Sequence, residues 1–119
     1  MFITRIASTV RGRTTEGARR RNDPDGRLIA ELSLACGKGT VKYPTTYVKV
    51  YVREELARKA LDVIYRRGMY IEASGFLLVK EHEGEDGESV EIDLEDVHKL
   101  KVFDRNGVLQ QVLTDKKVV

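Results

Sequence analysis

The sequence predicts a mainly β protein, a five-stranded Greek-key barrel with one helix between strands 3 and 4. Two observations favour this fold: most apolar stretches alternate with polar residues at a period of two, and a single segment switches to the helical period. A third is that turn-forming Gly, Pro, Asn and Asp residues separate these segments. The 119 residues, 41% of them hydrophobic, suffice for one folded domain.

The first three predicted strands occupy the N-terminal half of the chain. Strand 1 covers residues 2–10, where β-branched residues favour a strand over a helix. An Arg-rich segment follows and ends in turn-forming residues 22–26, so we predict a loop there. Strand 2 covers residues 28–36, and strand 3 covers residues 47–53 after a second loop.

The remaining elements are one helix and two long strands. Residues 54–67 carry an apolar stripe at the helical period, with acids in the first turn and Gly68 as the stop. Strand 4 covers residues 69–82 and is predicted to bend at Gly75, because a glycine permits the bulge that a barrel corner needs. Strand 5 covers residues 89–103, after a Gly-containing hairpin.

Three strands, one helix and two strands form the element order of the oligonucleotide/oligosaccharide-binding barrel, the OB-fold. We therefore assign residues 1–104 to one OB-fold domain and residues 105–119 to a short C-terminal extension. The sequence leaves open whether that extension pairs as an added strand, within the chain or across subunits, or is loose.

Charge is distributed unevenly along the chain, although the net charge is only +2. Arginines dominate the first quarter, and such a region attracts phosphates. Between residues 81 and 96, nine Asp and Glu residues stand without an intervening Lys or Arg. These acids flank the predicted hairpin between strands 4 and 5.

Several classes of protein are disfavoured by composition. Cys36 is the single cysteine, so the chain has no intrachain disulfide and, with only two histidines, no standard zinc site. No apolar run has the length of a membrane span, and the N-terminus lacks a signal-peptide pattern. The carboxylates have no nucleophile or phosphate-binding glycine loop beside them. We expect an intracellular protein that is not an enzyme, with no cofactor, no metal and no membrane partner.

Strand 3 carries the main candidate site. Its three valines fall on one face, which we expect to be buried, and its other face alternates rings and cations. Single-strand binding requires such a face, because bases stack on rings, worth about 1–3 kcal/mol each, while cations neutralise phosphates. The residues on it are Tyr47, Lys49, Tyr51 and Arg53. The alternative is that these side chains merely cover an exposed sheet face.

Residues on neighbouring strands extend this candidate surface. Phe76, Lys80 and His82 share one face of strand 4, and Arg11 and Arg13 follow strand 1. We expect Lys80 and the two arginines to contact phosphates. His82 either contacts a base or is an ordinary hairpin residue. Phe76 has an equal alternative, which is packing under the helix or in an oligomer interface.

Over nearly its whole length the chain resembles the bacterial single-stranded-DNA-binding protein family. The resemblance is carried, in the family's order, by residues 32–35, 46–52, 56–57 and 67–77. It implies an OB-fold homo-oligomer, dimer or tetramer, that binds single-stranded DNA in replication, recombination or repair. It places Tyr47 and His82 at or near family Trp positions, Lys49 at a basic position, and Arg53 where a ring is usual.

The chain also departs from that family. It has no Trp, its hairpin is acidic, and it lacks the family's Gly/Gln/Pro-rich linker and acidic tip, so we do not expect tail-mediated recruitment of proteins. Our main hypothesis is sequence-tolerant binding of single-stranded DNA in the cytoplasm at the nucleoid, or in an organelle such as a plastid. The alternative is a primosomal-like protein-interaction or structural subunit with weak or no DNA binding. RNA as the ligand is a further alternative.

Overall fold

The computed structural model describes residues 3–84 and 87–115, which contain seven strands and one helix. The elements are β1 (Ile3–Thr14), β2 (Arg19–Asn22), β3 (Leu28–Cys36), β4 (Thr46–Arg53), α1 (Glu54–Val63), β5 (Tyr70–Gly84), β6 (Gly87–Phe103) and β7 (Leu109–Thr114). The five strands predicted from the sequence correspond to β1, β3, β4, β5 and β6. The predicted position of Phe2 lies outside the described residues.

Five strands close into a barrel in the order β1-β5-β6-β4-β3, because β3 pairs in turn with β1. The β1–β3 pairing is short, with Arg13 opposite Ala35, whereas β1 and β5 pair from Ile3 to Arg13. The β4–β6 pairing is parallel and places Val50 opposite Leu94. The prediction of a mainly β, five-stranded barrel with a helix between its third and fourth strands is confirmed.

Two short strands extend this barrel. β2 pairs with β3 antiparallel, so the Arg-rich segment predicted to be a loop is partly a strand. The turn between them is stabilised by Asp23, whose Oδ1 accepts the backbone N–H groups of Asp25 and Arg27. β7 pairs antiparallel with β6 of the same chain, and its Leu113 is buried in the core.

The core is built from the inward faces of the barrel strands and one face of α1. Its largest fully buried apolar side chains are Leu32, Leu34, Val50, Val52, Leu56, Ile64, Ile71, Leu94 and Leu100. From the helix, Leu56, Ala57 and Ala60 are buried. The alternating pattern of the sequence thus becomes the inside and outside of the barrel.

The bend predicted at Gly75 is confirmed, because the β5–β6 register shifts between Ser74 and Phe76. A Cβ atom at position 75 would lie 2.5 Å from the backbone oxygen of Glu95. Only glycine therefore allows the two strands to approach this closely. The bulge sharpens the local twist and turns the long hairpin around the barrel.

The helix ends at Val63, so its predicted extension to Arg67 is wrong. After Ile64 the backbone bonds to β1 and its loop: the N–H of Ala18 donates to the oxygen of Ile64, and the N–H of Gly68 donates to the oxygen of Thr14, both at 2.8 Å. The hydroxyl of Thr14 also donates to the backbone oxygen of Arg66. These tertiary hydrogen bonds replace the helical ones and hold the segment with Arg66 and Arg67 against β1.

No helix within residues 3–84 and 87–115 has the length and apolar character needed to cross a membrane.

Candidate nucleic-acid interface

The outer face of β4 has the alternation that the sequence predicted. Val48, Val50 and Val52 are buried, whereas Tyr47 is 64% exposed. Lys49 and Arg53 are exposed, and Tyr51 is half-buried. The structure therefore places two rings and two cations on one side of a strand whose other side packs in the core.

A buried carboxylate lies beside this face. Asp93 on β6 lies opposite Lys49 in the parallel β4–β6 strand pairing. Its Oδ2 forms an ion pair with Nζ of Lys80 at 3.2 Å. Its Oδ1 has no hydrogen-bond partner among the residues that the structure describes. The hydrogen bond to Asp93 raises the pKa of Lys80. Lys80, predicted to contact phosphate, is thus already engaged by a carboxylate, and a phosphate would have to compete for it.

The cleft at the C-terminal end of β4 has about 300 Å³ and mixed charge. We call it the central cleft; Arg21, Asp23, Tyr51, Arg53, Lys80 and Asp93 line it. Arg53 pairs with Asp23 at 3.4 Å, and Arg21 pairs with Glu31 at 3.1 Å. Since these cations have carboxylate partners, the central cleft attracts a phosphate less than its arginines alone suggest.

Tyr51 lies among these carboxylates. Burial raises its pKa to about 12, and the charges of Asp93, Glu31 and Glu91 act in the same direction, against a smaller opposite effect of Arg21. The phenol therefore stays uncharged to a higher pH than an ordinary tyrosine.

We expect one of the five tyrosines to titrate at about pH 12 in the folded protein. Because the folded pKa lies above the ordinary value of 10.0, Tyr51 contributes stability below pH 10 that is lost as the pH rises toward 12. Ultraviolet absorbance of phenolate against pH measures this transition. Tyr51→Phe should remove the component at about pH 12, whereas Tyr65→Phe should leave it; its persistence in Tyr51→Phe would contradict the assignment.

A second cleft, of about 450 Å³, lies at the other end of β4. We call it the Tyr47 cleft, because Tyr47 borders it together with Arg13, Arg67 and three threonines. Its lining contains no Asp or Glu. Within the described part of the chain, neither Arg13 nor Arg67 forms an ion pair. An exposed ring and two available guanidinium groups meet the requirements of single-strand binding.

The strand register explains why these residues meet. Ala35 on β3 lies opposite Tyr47 on one side and opposite Arg13 on the other. Residues opposite each other in antiparallel strands point to the same face. Tyr47 and Arg13 therefore flank one small residue on the outside of the barrel, and the segment after α1 adds Arg67.

The loop between β3 and β4 adds further cations, which the alternating pattern of the strands does not predict. The Nζ atoms of Lys38 and Lys42 lie 5.2 and 5.5 Å from the ring centroid of Tyr43, which is half exposed. A signal for this region was present, because residues 32–53 contain no Asp or Glu. Arg67 was missed because it was assigned to the helix.

The remaining predicted residues lie away from the two clefts. Phe76 has the guanidinium of Arg5 4.4 Å from its centroid, and it is not among the described side chains that form the core or pack against it. Arg11 lies 4.1 Å from the ring centroid of Phe103 and 3.6 Å from Glu72. The side chain of His82 lies outside what the structure describes. The structure thus brings together Tyr47 with Arg13, and Tyr51 with Arg53 and Lys80.

Sequence comparisons give no relative for this chain: no protein-family model matches it, and no curated protein sequence matches it. Comparison of structures gives a protein of similar fold. The small single-stranded DNA-binding protein from Streptomyces coelicolor superimposes with a TM-score of 0.61 at 17% identity, over 85% of this chain and 95% of that one. The fold of the chain is therefore that of an OB barrel similar to a bacterial single-stranded DNA-binding protein, as the resemblance in the sequence implied.

Proposed function

We propose that the protein binds single-stranded DNA, without strong sequence preference, through the Tyr47 cleft and the outer face of β4. The observation that carries the proposal is the exposed ring of Tyr47 beside Arg13 and Arg67 in a cleft lined by no carboxylate. The similar structure of the same fold, from Streptomyces coelicolor, is named as a single-stranded DNA-binding protein, which supports this class of ligand.

In this proposal each side chain has a distinct task. A base stacks on Tyr47, and the guanidinium groups of Arg13 and Arg67 hold the adjacent phosphates. Lys49, exposed on the next outward position of β4, extends the cationic path. Stacking tolerates any sequence, because every base has a π face. Tyr51, Arg53 and Lys80 contribute after the DNA has displaced the carboxylate of Asp23 from Arg53 and that of Asp93 from Lys80.

We further propose that the protein is a homo-oligomer assembled through β1. One edge of β1 pairs with β5 from Ile3 to Arg13, whereas its other edge, within residues 3–84 and 87–115, pairs with β3 only at Arg13 and Thr14. An unpaired edge is a template for pairing with a second copy. Such a binder would act in replication, recombination or repair, in the cytoplasm or in an organelle, and would carry out no catalysis.

A second candidate function is a protein-interaction subunit. The β5–β6 hairpin favours it, since Glu81 and Glu83 are exposed on one strand and Val90 on the other. An acidic arm with an exposed apolar side chain repels phosphates and suits a basic protein partner. The two candidates differ in one respect that is simple to measure, which is the affinity for an oligonucleotide.

Fluorescence anisotropy of a labelled oligo-dT of about 35 nucleotides tests the proposal, because an OB fold covers about 4–16 nucleotides. We expect saturable binding that exceeds binding to duplex DNA. With Arg13, Arg67 and Lys49 on phosphates, the logarithm of affinity should fall with the logarithm of salt at a slope of about −2, since each phosphate contact adds about −0.7 for a single strand. A matching RNA distinguishes the two nucleic acids.

Absence of binding even at low salt would overturn this proposal and favour the protein-interaction subunit. Equal affinity for duplex and single strand would also overturn it, because stacking on Tyr47 requires unpaired bases.

A further inference from the structure

A third cleft, of about 520 Å³, lies beside the Tyr47 cleft. We call it the Tyr70 cleft; Arg66, Gly68, Tyr70, Phe103 and Arg105 are among its lining residues. Gly68 lines both clefts. Apart from Gly68 and its two chain neighbours, a Cβ atom at position 68 would have no heavy atom within 4 Å, so the surface between the two clefts is open at this position.

The strand register also connects the two clefts. Arg13, in the Tyr47 cleft, is the cross-strand partner of Tyr70, and Tyr70 is in turn the partner of Phe103. Together with Tyr47 and Ala35, these residues form an outward-facing band that crosses β4, β3, β1, β5 and β6. With about 4.8 Å between neighbouring strands, the three steps from Tyr47 to Tyr70 span about 14 Å.

The charges of the Tyr70 cleft are available to a ligand. Arg105 is exposed and forms no ion pair within residues 3–84 and 87–115. The carboxylate of Asp104, the acid in the lining, accepts hydrogen bonds from its own turn. Its Oδ1 accepts hydrogen bonds from the backbone N–H groups of Asn106 and Val108, and its Oδ2 accepts one from Nε2 of Gln110. The turn thus satisfies the carboxylate and leaves the arginine beside it free.

The rings of the cleft are positioned for stacking. Tyr70 is exposed, while the neighbouring Ile71 on β5 is buried and holds the strand against the core. Phe103 carries the guanidinium of Arg11 4.1 Å from its centroid, which adds a cation to the same band. The Tyr70 cleft therefore repeats the combination of exposed ring and available arginine found in the Tyr47 cleft.

We propose that a single strand stacked on Tyr47 continues across Gly68 into the Tyr70 cleft. There a base stacks on Tyr70, and Arg66 and Arg105 hold the adjacent phosphates. The inference rests on the proposed function and assigns the DNA a path around the barrel, from β4 to β6, rather than along the acidic hairpin. It follows that affinity depends on oligonucleotide length, because a short strand fills one cleft and a longer strand fills both.

A ladder of oligo-dT lengths from about 4 to about 16 nucleotides tests the path. For the unmodified protein, affinity should rise with length until both clefts are occupied. For Tyr70→Ala, affinity for the longest oligomer should fall at least about 5-fold, because one stacked base is lost. Affinity for the shortest oligomer should be nearly unchanged. For Arg105→Ala, the salt slope for the longest oligomer should become shallower by about 0.7.

Matched controls are Tyr65→Ala and Arg58→Ala, which remove an exposed ring and an exposed arginine that line neither cleft. Both should bind like the unmodified protein, and circular dichroism checks that every variant folds. If Tyr70→Ala matches the unmodified protein at every length, or loses affinity equally at every length, the path is wrong. If the unmodified protein binds no oligomer, the proposed function itself fails.

Discussion

Tyr47→Ala is expected to weaken the binding of single-stranded DNA about 5- to 150-fold. The substitution removes one stacking ring, worth about 1–3 kcal/mol, and each 1.4 kcal/mol corresponds to a factor of ten in affinity. The ring contributes little to the fold, because 64% of the residue is exposed. Anisotropy titrations of oligo-dT at fixed salt measure the change directly.

Tyr65→Ala is the matched control for this experiment. Tyr65 is 69% exposed, so the two substitutions remove similar exposed rings. Tyr65 follows α1 and borders neither the Tyr47 cleft nor the Tyr70 cleft. We expect its replacement to leave affinity unchanged. Equal losses in the two variants would mean that binding does not use the face of β4 that we assign.

Leu94→Ala is expected to lower the free energy of unfolding by about 2–5 kcal/mol, the usual result of leaving a cavity at a buried leucine. Leu94 is 0% exposed and pairs with Val50 where β6 meets β4. That parallel pairing joins two neighbouring strands of the barrel, so the substitution weakens the contact between β4 and β6. Equilibrium unfolding in urea, monitored by circular dichroism, measures the loss.

Leu109→Ala provides the comparison. Leu109 begins β7 and is 46% exposed, so its truncation should change stability by less than about 0.5 kcal/mol. A pair of equal, small losses would show that the β4–β6 contact is not part of the cooperative core. A selective loss at Leu94 would support the closed barrel on which both clefts depend.

Ion pairing sorts the many arginines and lysines of this chain into two groups. Arg21, Arg53 and Lys80 are held by carboxylates around the central cleft. Arg67 and Arg105, like Arg13, have no such partner in the portion of the chain described by the structure. Since a cation without a carboxylate partner binds phosphate without competition, the unpaired group marks the more favourable path for a nucleic acid.

Elements with a local sequence pattern could be predicted from the sequence. The period of two in β4 separated its buried valines from Tyr47 and Tyr51, since successive side chains of a strand point to opposite faces. Acids followed by an apolar stripe located the start of α1, and Gly75 located the bulge. Each of these signals lies within a few residues of the feature that it predicts.

The end of the helix and the ion pairing of the cations depend on contacts between distant segments of the chain. Thr14 of β1 binds the backbone after α1, although the two segments are some fifty residues apart, and so overrides the local helical pattern. Similarly, Tyr70 and Phe103 meet Arg13 only through strand pairing. Neighbours across a sheet are set by register and closure of the barrel, which periodicity within one strand does not encode.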